Sequence, residues 1–78
     1  MSISASQCRA ARALLGWSQD DLADRSSVGR ATLANFEKEK SVPYERTLRD
    51  IQSALEEAGV IFVEAGDTAQ SIGVTMRP

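Results

Sequence analysis

Side chains able to run general acid–base or covalent chemistry are scarce in this chain. It has no histidine and one cysteine, Cys8, so the commonest general base is missing. Ser18 and Thr32 carry hydroxyls, but nothing nearby supplies the base that would activate a nucleophile. Without histidine a zinc site is close to excluded, and one thiol cannot close an internal disulfide. The expectation is a protein that is not an enzyme and carries no cofactor or metal. Cys8 fits a small buried apolar role better than a reactive one, and Trp17 fits packing better than stacking. What remains is recognition chemistry, concentrated between residues 30 and 40. The Arg30 guanidinium can donate two parallel hydrogen bonds to O6 and N7 of a guanine, or hold a phosphate. The Asn35 carboxamide can pair with N6 and N7 of an adenine, or touch only a sugar-phosphate backbone. Ala31 and Ala34 are small enough to admit a thymine methyl, or are simply small helix residues. Lys38 and Lys40 can meet phosphates or stay solvated, and the Tyr44 hydroxyl either donates to a phosphate or, as the commoner case, is plain surface.

These side chains need elements to hold them. Cys8, Ala11 and Leu15 recur at i, i+3 and i+7, which predicts a first helix from about Ser4 or Ser6 to Leu15, with Gln7 and Arg9 off the apolar stripe. Gly16 suits its left-handed end. Ser18 is placed as an N-cap, with Asp20 and Asp21 in the first turn of a short second helix reaching about Arg25. Ser26 to Gly29 break it. A third helix runs from Arg30 to about Lys38 with Leu33 and Phe36 inward, and Pro43 ends the loop that follows. A fourth, from about Tyr44 to Ala58, lines up Leu48, Ile51 and Leu55 and stops at Gly59. The tail reads as a β-hairpin. Val60 to Val63 are β-branched or aromatic, residues 65–71 small and polar, and Ile72 to Arg77 alternate. The fold class expected is mostly α: four helices and a short C-terminal hairpin.

A two-stranded hairpin is marginal by itself, and this one is apolar on both faces. One face is expected to cover the helices and the other to meet a second copy of the chain. That makes Val60, Ile61, Phe62, Val63, Ile72, Val74 and Met76 the candidate dimer interface, with the fourth helix as the alternative route.

At 78 residues with 42% hydrophobic content, the chain makes one small domain that hides only about 60% of its unfolded surface. Apolar runs are short and the N-terminus lacks the pattern of a signal peptide, so a soluble, cytoplasmic protein with no membrane partner is expected. The net charge of −2 argues on its face against a nucleic-acid partner. The charge is uneven, however. Residues 1–49 carry eight Lys/Arg against six acids, and residues 50–78 one against five. The first half is basic and the tail acidic.

Two short helices around a tight turn form the helix-turn-helix pattern. Ala23 is small enough for a close crossing, Val28 plugs the corner, and Leu33 and Phe36 anchor the third helix from behind. The run Arg12-Ala13-Leu14-Leu15-Gly16-Trp17-Ser18-Gln19-Asp20-Asp21-Leu22-Ala23, then Val28, Thr32-Leu33, Phe36-Glu37, Pro43 and Thr47-Leu48, resembles the helix-turn-helix family of the phage Cro protein and phage repressors, the xenobiotic-response-element-like regulators. The resemblance covers roughly residues 5 to 59. It implies a four-helix repressor-like domain over 1–59 and a sequence-specific double-stranded DNA-binding regulator, a repressor acting as a homodimer, while the apolar hairpin makes 60–78 the extension expected to dimerise. It also implies roles. Gln19 meets a phosphate and props the recognition helix; Arg30, Ala31 and Asn35 face bases, with Thr32 and Ala34 beside them; Lys38, Lys40 and Ser41 meet the DNA backbone. Arg12 and Glu37 match a pair that forms an internal salt bridge in relatives. Two positions depart from the pattern. Ser27 stands where a turn glycine is usual, at a cost of about 1 kcal/mol if its φ is positive. Gly29 stands where a hydroxyl cap is usual. A second reading, an antitoxin-like or adaptor module with a protein partner, draws on the thin Ala31/Ala34 surface and the acidic tail.

Overall fold

The computed structural model describes residues 3–63 and 73–77. Four helices are followed by two strands. Helix α1, Ala5–Leu15, starts at a capping box: the Ser4 hydroxyl accepts from the Gln7 N–H at 3.1 Å, and Gln7 Oε1 accepts from the Ser4 N–H at 2.9 Å. The pattern Ser-x-x-Gln is the local signature of such a start; Ser6, the other candidate, lies inside the helix. Gly16, with φ of 70°, closes α1 in the left-handed conformation.

Helix α2, Gln19–Ser26, opens on a second capping box, between Ser18 and Asp21. The backbone N–H and the hydroxyl of Ser18 both stabilise the Asp21 carboxylate, which holds its pKa below the usual range. Ser27 ends α2 with φ of 58°. The residue that replaces the expected turn glycine therefore does take the left-handed conformation. Helix α3, Arg30–Glu37, has Gly29 at its N-cap and no side-chain cap. Helix α4, Glu45–Glu57, is the longest and packs Leu48, Ile51, Ala54 and Leu55 inward. Gly59, with φ of +107°, turns the chain out of α4 into the hairpin.

Strands β1, Val60–Val63, and β2, Gly73–Met76, pair antiparallel with Val60 opposite Met76 and Phe62 opposite Val74. These four turn toward the helices; Val60 is buried and the other three pack on the core from its edge. Ile61 and Thr75 face outward. Ile72, expected in the second strand and at a subunit interface, lies outside the described residues, as does the polar stretch 65–71.

The core centres on Cys8, Leu22, Leu33, Ile51 and Leu55, all fully buried. Trp17 flanks it and is capped by the Arg25 guanidinium, 4.9 Å from the ring centroid. One correction concerns Gln7, which falls off the apolar stripe in sequence but is only 6% exposed. Its Nε2 donates to the carbonyls of Val63 and Gly73, at 3.2 and 3.1 Å. A buried amide is stable only when so partnered, and these two bonds latch α1 onto the far rung of the hairpin. At the near end, the Arg77 N–H donates to Gly59 O at 2.8 Å and its guanidinium to Glu56 O at 3.1 Å. That places a cation on the carbonyl end of α4, where the helix dipole favours it. Among the described residues no helix is long and apolar enough to cross a membrane.

Candidate nucleic-acid interface

Helix α3 has two unlike faces. Leu33 and Phe36 are buried in the core, where α3 meets α1 and α2, and Val28 fills the corner of the turn that precedes them. On the opposite side Arg30, Ala31, Thr32 and Asn35 are exposed, while Ala34 is half-buried. Lys38, Lys40 and Ser41 follow in the exposed loop beyond the helix. All of these candidates except the half-buried Ala34 are therefore open to solvent. Arg30 is not a free cation: its Nε lies 3.0 Å from Oδ1 of Asp20, the second residue of α2, with both side chains well exposed.

Glu37, the last residue of α3, points the other way and is only 3% exposed. Its carboxylate is saturated. Oε1 accepts from Arg12 Nη2 at 2.7 Å and from Gln19 Nε2 at 3.0 Å; Oε2 accepts from Arg12 Nε at 2.8 Å and from the Cys8 thiol at 3.1 Å. All four lone-pair positions are filled, and the Arg12 contact is the bidentate geometry that best matches a guanidinium to a carboxylate. Arg12 also donates through Nη1 to the Trp17 carbonyl at 3.0 Å, and Arg9 donates to the Glu37 carbonyl. One carboxylate therefore ties α1, α2 and α3 together directly behind the exposed face.

The electrostatics follow. Burial pushes the Glu37 carboxyl up, but hydrogen bonds from Arg12, Gln19 and Cys8 outweigh it and hold the pKa below the usual carboxylate range. Glu37 is ionised at neutral pH. The bond to Glu37 raises the Arg12 pKa further. Burial, followed by the hydrogen bond to Glu37 and the repulsion of its charge, drives the Cys8 thiol far above its ordinary range, so Cys8 stays neutral and acts as a donor. Gln19, half-buried at the start of α2, spends one amide hydrogen on Glu37 and keeps the other.

Sequence reasoning missed three of these participants. Gln7 looked like surface because its partners lie 56 and 66 positions away. The sequence pattern puts the Cys8 thiol in the core but does not disclose its acceptor, Glu37. Asp20 reads in sequence as a helix-start acid, and nothing local marks it as the partner of a residue across the turn.

A family model described as helix-turn-helix matches residues 9–58 of the chain. This protein belongs to the Cro and phage-repressor type of helix-turn-helix proteins. Membership makes the helix-turn-helix protein a DNA-binding regulator in general terms and gives α2 and α3 their standing as its defining unit. The matched stretch begins one residue after Cys8 and ends at the C-cap of α4, so the hairpin lies beyond it. No curated protein matches the chain.

Proposed function

We propose that the protein is a sequence-specific, double-stranded DNA-binding repressor that acts as a homodimer. The observation that carries this reading is the division of α3. Its inner face and its last residue are fixed in the core, and its outer face offers Arg30, Ala31, Thr32 and Asn35 without any large apolar side chain. A helix fits the major groove, where a fork of guanidinium donors can read guanine and a carboxamide can read adenine. Lys38, Lys40 and Ser41 supply backbone contacts from the loop, and the spare amide hydrogen of Gln19 supplies one from the start of α2. Occupying a groove excludes other proteins from it, and that is the simplest route to repression.

Selection from random duplex DNA at two salt concentrations tests the reading. Arg30→Ala is expected to relax the preference at one or two base pairs, a loss of about 1–3 kcal/mol in discrimination. Lys40→Ala is expected to weaken all sequences alike and to flatten the salt slope by about one contact. Absence of salt-sensitive, sequence-selective binding would sink the reading, and retention of one stoichiometric protein partner with no DNA at low salt would replace it with an adaptor or antitoxin-like role.

The homodimer rests on the hairpin. Val60 is already covered within one chain, and Phe62, Val74 and Met76 lean on the same core. What remains for a second copy is the outer side, where Ile61 is 42% exposed. Two copies joined there would present their α3 helices to half-sites about 34 Å apart, one turn of the duplex. Ile61→Glu is expected to give a folded monomer in sedimentation with weaker binding to a two-site operator; a variant that sediments as a dimer would move the interface to another surface, with α4 the first alternative.

A further inference from the structure

The first turn of α2 carries two acids, Asp20 and Asp21, and they are used differently. Asp21 bends back to cap its own helix through Ser18. Asp20 reaches across the turn and takes the Nε of Arg30 at 3.0 Å. An exposed ion pair of this kind adds little to folding, so the fold does not account for it. Its geometry bears on Arg30 instead. A guanidinium can donate two parallel hydrogen bonds along either of two edges, one formed by Nε with an Nη and one formed by the two Nη groups. Asp20 occupies the Nε position, and the edge left for a partner is the end-on pair of Nη groups.

We propose that Asp20 is a positioning residue for base readout. It holds the Arg30 guanidinium end-on toward O6 and N7 of a guanine and keeps it from folding onto a phosphate. The proposal rests on the reading role of Arg30 given above. Arginine has a long, flexible side chain, and its preorganisation decides how much freedom is lost when it binds. In the free protein the pair is open to water; in the groove, where water is excluded, the carboxylate acts more strongly on the guanidinium. The charge of Asp20 also opposes phosphates wherever Arg30 is not on a base, a repulsive element that lowers affinity for every sequence and raises the contrast between them. Specificity is thus increased at the expense of raw affinity.

The test compares Asp20→Asn, Asp20→Glu and Arg30→Ala in the full chain, each selected against random duplex DNA and then titrated on the selected site and on unrelated duplex. Arg30→Ala locates the base pair that Arg30 reads. Asp20→Asn is expected to bind unrelated duplex severalfold more tightly, with a steeper salt slope, while the guanine preference at that base pair falls by about fivefold or more. Asp20→Glu is expected to restore part of the preference, and Asp20→Asn made on top of Arg30→Ala is expected to change no base preference. Should Asp20→Asn tighten binding evenly while the guanine preference stays intact, Asp20 is a plain surface charge and the proposal is overturned with the Arg30 reading still standing. Should Arg30→Ala alter no base preference, Arg30 is not a reader, and both statements fall together. Asp20 and Arg30 are both exposed and outside the core, so the variants are expected to unfold cooperatively within a few degrees of the parent, Asp20→Asn losing only its charge at the start of α2, which separates these outcomes from misfolding.

Discussion

Arg12→Ala is expected to lower stability by about 3–5 kcal/mol, the range for removing one member of a buried ion pair. A chain of 78 residues has about 4–12 kcal/mol in all, so a large part of the population would unfold under mild conditions. The cause is the fate of Glu37. It is 3% exposed, and without the guanidinium it keeps only Gln19 and Cys8 as side-chain donors to its carboxylate. Two neutral or weak donors do not balance a buried charge. Urea titration at neutral pH measures the effect as a fall in midpoint with little change in slope. The double variant Arg12→Leu with Glu37→Leu is expected to lose less than the sum of the two single changes, because no charge is then stranded. An additive result would show that the four-way network acts as separate bonds.

The same pair sets the acid limit of the native protein. The Glu37 pKa is depressed on folding, so its contribution is fully present above the ordinary carboxylate range and is lost as pH falls through the depressed value. In Arg12→Ala the sign reverses. Burial then dominates, the carboxyl pKa rises on folding, and lowering the pH should recover stability relative to the parent. At the alkaline end the raised Cys8 pKa means that stability declines once pH passes the ordinary thiol range, because only the unfolded chain readily gives up that proton.

The second large effect is expected from Gln7→Glu. The change keeps an acceptor for the Ser4 N–H, so the capping box of α1 survives, but it removes the amide that donates to Val63 and Gly73. A carboxylate would then face two carbonyl oxygens in a site only 6% exposed. The cost is expected to be about 3 kcal/mol or more, since two acceptors are left without donors and the new charge keeps only the Ser4 N–H. Amide hydrogen exchange should rise in residues 60–63 and 73–76 before it rises in α1. Lowering the pH should recover part of the loss, because the protonated carboxyl is again a donor. Equal loosening of α1 and the hairpin would show that Gln7 matters as a cap and not as a latch.

Those two residues also show what the sequence can and cannot disclose. The order of four helices and a hairpin was legible because local rules suffice for it: period-3.6 stripes, serine caps, Gly16 and Gly59 at helix ends, Pro43 after a loop. Glu37 was legible only through resemblance, since an acid four residues past Leu33 has no local reason to be buried beyond that i+4 spacing. Gln7 was not legible in its latch role, because polarity placed it outside and its acceptors are backbone atoms, which carry no side-chain signature. The Ser4–Gln7 box spans only four residues, yet it goes unread in the sequence, which leaves the start of α1 open between Ser4 and Ser6. The Asp20–Arg30 contact joins two different helices across the turn, and no local pattern in the sequence marks it.

Helix α3 is anchored by Leu33, Phe36 and the carboxylate of Glu37, none of which is on the outer face. The four outward positions 30, 31, 32 and 35 take no part in that anchoring, and substitutions at such surface sites usually change stability by less than about 0.5 kcal/mol. On the proposed function, target choice and foldedness are therefore separable traits in this scaffold. A lineage could exchange one operator for another by single substitutions, each passing through a folded protein, while the carboxylate behind α3 stays fixed because almost any change there would be removed by unfolding before its effect on recognition could be selected.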